Sequence, residues 1–348
     1  AYAYHFDAGL YARFLRGLCE PRGVKRIEGR IVDVQRDGES GHVTSVRLQS
    51  GQEIAGDYFI DCSGFHSLLF DKTLGVPFED WSKWLVCDRA VAVPCARTEP
   101  MIPYTRSTAK AAGWQWRIPL QHRTGNGYVY CSDYISDDEA AGSLLADLDG
   151  EALDSPRMLR FRAGRRRQSW QGNCIAIGLS SGFLEPLEST SIYHIQVAIL
   201  ALTRLFPRKQ PDPALVEEFN RRVDYEYDRV RDFLILHYHL NSRDDSELWR
   251  YCREMPVPDS LTEKMNQFRH RGYVGTYRYG LFAPPSWISV FLGQGLEPAG
   301  YAPYADNTAL SEARSEMDEL AVEIERRVQR MPMHGDFLAD HCPAGTGA

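Results

Sequence analysis

The sequence has no run of about 18 apolar residues, and no positively charged leader followed by an apolar segment, so neither a membrane-spanning helix nor a secretory signal is expected. It also has no CxxC or CxxH spacing. Its eight cysteines, Cys19, Cys62, Cys87, Cys95, Cys131, Cys174, Cys252 and Cys342, stand singly, which argues against a zinc site or a disulfide framework and leaves reduced thiols of a cytoplasmic protein as the plain reading. Long basic runs are missing. With a formal net charge of −7 and only Gly164–Arg167 (GRRR) locally cationic, a nucleic-acid partner is not expected. Internal repeats and low-complexity tracts are absent as well.

What is present is a 348-residue chain with 43% hydrophobic and 25% charged residues, enough apolar material for a sizeable core and about two domains. Residues 7–19 place an Asp ahead of apolar residues at Leu10, Phe14, Leu15 and Leu18, which is helical spacing. Three β-rich runs follow between residues 24 and 65, punctuated by Asp37-Gly38 and Ser50-Gly51, and predict a meander. Further strands over 89–131 predict an antiparallel sheet, and Ser136 with Glu139 three residues on predicts a boxed helix start. From residue 191 the periodicity is helical: 192–206, 213–240, 260–268 and 307–330. The expected organisation is therefore mixed α and β. Residues 1–190 would form one part, with a sheet near 78–131, residues 191–331 a helical part, and residues 332–348 a flexible tail.

Two segments carry the chemistry. GLSSGFLEPLESTS, 178–191, follows a buried strand, is rich in small residues, and leads into a helix. Free backbone N–H groups and the positive end of a helix dipole suit an anion or a polar cofactor ring there. Ordinary capping by Ser189 or Thr190 is the competing reading. Glu185 and Glu188 flank Pro186 in this loop and are either dipole partners or catalytic carboxylates. The second segment is GWQWRIPL, 113–120. As a strand it sets Trp114, Trp116 and Ile118 on one face and Gln115 and Arg117 on the other, with Pro119 ending the ladder. Two of the chain's seven tryptophans are thus side by side, either as core anchors or as the wall of a site. Cys62 in FIDCSG is expected to be a structural thiol, and His5 a hydrogen-bonded structural histidine. His237 and His239 on a helix face apart, so no metal is expected.

YAYHFDA near the start, FIDCSGF at 59–65, GWQWRIP at 113–119 and GLSSGFLEPLESTS occur in the order found in flavin-dependent tryptophan halogenases, and NSRDD (241–245) and VFLGQGLEP (290–298) also resemble that family. The resemblance implies an FAD-binding part like that of aromatic hydroxylases and a helical part holding an aromatic substrate. It implies that reduced FAD, supplied by a separate flavin reductase, and oxygen turn bound chloride or bromide into hypohalous acid, which halogenates tryptophan or another indole, as in antibiotic biosynthesis. By position, Glu188 matches the catalytic glutamate, Ser189, Thr190, Ser191 and Ile192 the cofactor-side residues, and the N–H groups of Thr190 and Ser191 the halide cradle. The Trp114, Trp116, Ile118, Pro119 motif would keep substrate away from flavin. Tyr277, Phe282 and Trp287 would line the substrate pocket, and a homodimer is compatible with the family.

Three departures stand out. The GxGxxG fingerprint and the segment carrying the family's catalytic lysine are not found, and the six lysines, Lys25, Lys72, Lys83, Lys110, Lys209 and Lys264, lie in regions matching other parts of the family, so the chain is expected to be the C-terminal two-thirds of a halogenase. Serine stands at 191 where the family usually has glycine; a positive φ there would cost serine on the order of 1 kcal/mol. The residues that hold free tryptophan in well-known members are not clearly matched in 270–287. An FAD-dependent aromatic monooxygenase and a non-catalytic remnant are the alternatives.

Overall fold

In the computed structural model, residues 3–344 are described, apart from residues 208 and 278. The strands are β1 Ile31–Arg36, β2 Val43–Leu48, β3 Glu53–Ala55, β4 Phe59–Asp61, β5 Phe78–Asp80, β6 Arg89–Cys95, β7 Arg106–Lys110, β8 Gly113–Pro119, β9 Thr124–Tyr130, β10 Arg157–Arg160, β11 Gly164–Arg166, β12 Trp170–Gln171, β13 Cys174–Ala176 and β14 Gly182–Phe183. The helices are α1 Ala8–Cys19, α2 Asp137–Ala146, α3 Ser191–Leu205, α4 Pro213–His239, α5 Glu247–Glu254, α6 Asp259–Arg271, α7 Pro284–Gly293, α8 Leu310–Val328 and α9 His334–His341. The expected mixed α and β class is what is found.

Local chemistry explains several helix starts. The Asp7 carboxylate accepts from the N–H groups of Gly9 and Leu10 at the start of α1, and Ser136 and Glu139 exchange side-chain and backbone bonds at the start of α2. Pro284 and Pro285 open α7, where the missing N–H groups would have been unpaired in any case. The antiparallel sheet expected over 89–131 is present, in the order β10-β6-β9-β8-β7.

The meander differs from expectation. β1, β2 and β3 form it, but the third apolar run divides, and its second half, β4, crosses to pair in parallel with β13. Asn173 makes the crossing possible: its amide donates to the Val43 and Asp57 carbonyls at 2.7 and 2.9 Å and accepts from the Val43 N–H at 3.0 Å, pairing backbone groups where the run changes sheets.

α4 is the spine of the helical part. It packs on α3, α5, α6 and α7, and its turn Phe233–Leu236 is fully buried. One apolar cluster joins Trp81, Trp114 and Trp170 from the strand-rich part with Phe233, Trp249, Phe268, Trp287 and Phe291 from the helices, so packing continues across residue 190. Five cysteines, Cys87, Cys95, Cys131, Cys174 and Cys252, are buried, whereas Cys19, Cys62 and Cys342 are exposed.

Within the C-terminal segment expected to be a flexible tail there is a short helix. α9 occupies 334–341, where Phe337 stacks on His341 one turn later, while Gly345 and Gly347 lie outside the described residues. Among the described residues no helix is long and apolar enough to cross a membrane.

Candidate functional site

β8 lies between β7 and β9, with Trp116 opposite Gly127 in the ladder. The glycine is required there: a Cβ at 127 would sit 2.0 Å from Cζ2 of Trp116, so the indole occupies the space a side chain would need. The same-face geometry expected of the two tryptophans is observed, with ring centroids 6.1 Å apart. Trp114 is buried, and its indole N–H donates to Glu185 Oε1 at 3.2 Å. The opposite face is covered too, since Gln115 is buried and Arg117 is held by Asn126 and Asp149. Pro119 ends the strand, and its carbonyl lies 3.2 Å from His5 Nδ1, while His5 Nε2 contacts the Thr105 hydroxyl; this histidine is structural, as expected.

The small-residue loop runs from β13 through β14 into a tight turn, Pro186–Glu188, and then into α3. Ser189 closes the turn in the left-handed conformation (φ 53°, ψ 38°), donating its N–H to the Pro186 carbonyl. The unusual backbone is therefore at 189. Ser191 opens α3 and is not among the positive-φ residues, so serine there carries none of the penalty considered from sequence. Thr190 occupies the cap position, yet its hydroxyl makes no capping bond; it is buried and has no protein partner. In the first turn of α3, the N–H groups of Ser191 and Ile192 have no acceptor within the helix. Free N–H groups beside a partnerless buried hydroxyl, at the positive end of a 15-residue helix, fit a halide or the polar edge of a flavin ring.

Glu188 leaves the turn toward α4, where its Oε1 lies 2.9 Å from His237 Nε2. The other ring nitrogen, Nδ1, is 2.7 Å from the Phe233 carbonyl. A carbonyl only accepts, so Nδ1 is the hydrogen-bearing nitrogen on that side, and Nε2 is the ring atom that faces the Glu188 carboxyl. Sequence reasoning missed His237 as a partner, having weighed it only as a metal ligand with His239. The two do point apart, with His239 Nδ1 against the Cys252 carbonyl, and no metal-holding cluster occurs among the described residues.

Beside this pair is a cavity of about 250 Å³, lined by Trp114 and Leu187, by His237 and Tyr238 of α4, by Trp249 of α5, by 107–109 of β7, by 241–243 and by Gln294. At ~30 Å³ per water that is room for roughly eight waters. The Asn241 amide donates to the Tyr238 and Trp249 carbonyls and its oxygen accepts from the Arg243 N–H, which ends α4 and sets α5. Gln294 reaches the His237 carbonyl at 3.3 Å. Four segments far apart in sequence, 113–119, 178–191, 241–245 and 290–298, thus meet around one cavity.

None of the three aromatics expected to line a substrate pocket lines this cavity. Trp287 is sealed in the core edge-on to Phe233, Phe282 stacks on Phe233 at 3.9 Å, and Tyr277 lies against Arg229. Phe282 and Trp287 pack behind the helical turn whose carbonyl holds His237. Cys62 has its thiol pKa raised by desolvation and then by the neighbouring Asp61 charge, the reverse of an activated nucleophile.

Glu185 is fully buried. Burial pushes its carboxyl up to about 7, against the lowering effect of hydrogen bonds from Tyr238 and Trp114.

The family description "Tryptophan halogenase" matches residues 1–309. Tryptophan 7-halogenase KtzQ of Kutzneria sp. (strain 744) is 44% identical over 77% of this chain and 51% of its own length, and tryptophan 6-halogenase SttH of Streptomyces toxytricini is 40% identical over 97% of this chain and 66% of its own. Among solved structures, Xcc4156, a flavin-dependent halogenase from Xanthomonas campestris, superposes with a TM-score of 0.96 at 48% identity, covering 99% of this chain and 69% of that one. The chain therefore spans from about half to about two-thirds of the curated relatives it matches. Motif, fold and relatives agree: the chain belongs to the flavin-dependent tryptophan halogenase family.

Proposed function

We propose that these residues form the substrate side of an enzyme that halogenates an electron-rich aromatic, tryptophan or another indole, with Glu188 as its catalytic carboxyl. The observation that supports this most directly is the Glu188–His237 contact at 2.9 Å beside a cavity walled by Trp114. When bound, reduced FAD would supply the oxygen chemistry that converts chloride or bromide into hypohalous acid. Electrophilic substitution then requires only that the oxidant and ring be aligned and that the ring's proton be removed. A carboxyl already joined to an imidazole can orient the oxidant with one oxygen and take up the ring proton, with His237 Nε2 sharing the load. The N–H groups of Thr190 and Ser191 would hold the halide, and Ser189 and Ile192 would contact the cofactor. Trp114 and Trp116 pack and shield; they wall the passage without reacting.

The 348 residues contain no GxGxxG turn for the nucleotide half of FAD. By themselves they are expected to retain little FAD and to show no turnover, whereas the same residues joined to the family's dinucleotide-binding segment should do both. In that FAD-loaded enzyme, supplied with a flavin reductase, oxygen, bromide and indole, mass spectrometry should find halogenated product. Glu188→Gln should lose most of that product while binding FAD normally. Gain of a single oxygen instead of halogen would favour a monooxygenase, and full halogenation by Glu188→Gln would refute the role given to Glu188.

A further inference from the structure

Glu185 stands three residues before Glu188, and the tight turn that follows it carries Glu188. Its side chain points into the protein, and one oxygen, Oε1, accepts from two donors on separate elements: Trp114 Nε1 of β8 at 3.2 Å and Tyr238 Oη of α4 at 2.5 Å. Both donors line the cavity. The Tyr238 ring is itself fixed, stacked on Trp249 with centroids 5.5 Å apart, and its hydroxyl also contacts the Cys87 thiol at 3.7 Å. The second carboxyl oxygen of Glu185 has no protein partner.

For folding alone this is a poor choice of residue. A carboxyl with neutral donors on one oxygen and nothing on the other, fully buried, is less favourable than an apolar side chain of the same shape. The titratable groups around it, His237 and Tyr238 on α4, Cys87 and Cys252, include no arginine or lysine to offset a charge. What the carboxyl does provide is a joint. Through a single atom it fixes β8, α4 and the start of the Pro186–Glu188 turn relative to one another, and Pro186 passes that fixation on to Glu188.

We infer that Glu185 is a positioning residue: it sets the distance from the Trp114 and Tyr238 walls of the cavity to the Glu188 carboxyl, so that an aromatic substrate and the oxidant meet at the right separation. This rests on the halogenase reading proposed above. The residue touches neither substrate nor cofactor and acts through the three groups it joins.

The test compares Glu185→Leu, Glu185→Gln and Tyr238→Phe in the FAD-loaded enzyme, with indole as substrate. It measures kcat, KM and the fraction of reduced flavin consumed that appears as halogenated indole. Glu185→Leu should lower kcat/KM by roughly tenfold to a hundredfold and lower the coupled fraction, because small misplacements at a reacting centre have effects of that size. Glu185→Gln keeps an acceptor oxygen for both donors and should recover most of the loss. Tyr238→Phe cuts the joint from its other end and should reproduce part of the uncoupling, which covers the case in which the leucine variant does not fold. Unchanged coupling in folded Glu185→Leu, or a glutamine variant as impaired as leucine, overturns the inference, as does unchanged coupling in Tyr238→Phe. If the parent enzyme does not halogenate at all, the functional reading fails first. Indole binding followed by fluorescence then decides on Glu185 alone: equal affinity in parent, leucine and glutamine variants refutes it.

Discussion

Replacing Glu185 by glutamine should change how stability depends on pH. The carboxyl would ionise at 4.5 in the unfolded chain, but burial holds it to about 7 in the folded one. Between those values the folded state keeps a proton that the unfolded state has released. The contribution of this group is therefore fully present below pH 4.5 and is lost as the pH rises to about 7. At ~1.4 kcal/mol per pH unit the loss amounts to about 3 kcal/mol, with no discount for solvent because the side chain is fully buried. His194 works in the opposite sense. Burial lowers it from 6.5 to about 4, so its contribution is present above pH 6.5 and lost as the pH falls toward 4. Over roughly pH 4.5 to 6.5 the two slopes oppose each other, and the parent curve should be flattened there. Glutamine removes only the Glu185 slope. Its amide hydrogens also meet a position with no partner, which adds an offset of about 1–3 kcal/mol that does not vary with pH. The signature is the difference between variant and parent across pH. Urea midpoints from pH 4.5 to 8 should show Glu185→Gln gaining about 3 kcal/mol relative to the parent as the pH rises. All other groups are common to both proteins and cancel in the difference. Parallel curves for the two proteins would show that Glu185 is not the buried, proton-holding carboxyl described here.

Further substitutions test the packing around the cavity. Gly127→Ala should destabilise by about 1–3 kcal/mol because its Cβ collides with the Trp116 indole, and adding Trp116→Ala should return part of that loss, a coupling visible in a double-mutant cycle of thermal unfolding. Trp114→Phe keeps the ring but withdraws the indole donor from Glu185. Chemical denaturation should register a loss of about 1–3 kcal/mol, and because one arm of the Glu185 joint is cut, the coupled fraction in the FAD-loaded enzyme should fall, though by less than in Glu185→Leu. Asn241→Ala removes two donors and one acceptor from the end of α4, and a loss of about 2 kcal/mol, with faster hydrogen exchange in α5, is expected.

Much of this was legible in the sequence where the signals were local. The Asp7 cap, the Ser136–Glu139 box, the antiparallel sheet and the long periodic helices α3 and α4 follow from residues within a turn or two of each other. The strand alternation that pairs Trp114 with Trp116 is local too. α5 and α7 were not anticipated: each is short, and Pro256 just beyond one and Pro284-Pro285 at the start of the other disguise them as loops. The Glu188–His237 pair is separated by 49 positions and depends on the crossing of a tight turn with α4, which no spacing rule reports. Glu185 could be seen as a carboxyl in an apolar phrase, GFLEPL, yet its two donors lie 71 and 53 residues away. Trp287 and Phe282 show the opposite limit. Trp287 is buried and Phe282 half-buried, both against Phe233, and an aromatic that packs there looks the same in sequence as one that meets a ligand.

The distribution of sulfur has a bearing on wear. On the halogenase reading proposed above, hypohalous acid would be formed next to the protein's own most oxidisable atoms. Thiols react as thiolates, and Cys87, Cys174 and Cys252 are both enclosed and shifted strongly toward the protonated form. Cys19 and Cys342 are exposed, as are the thioethers Met317, Met331 and Met333. Oxidative damage by that acid should therefore mark the exposed sulfur first, leaving the buried thiols intact until the fold itself opens.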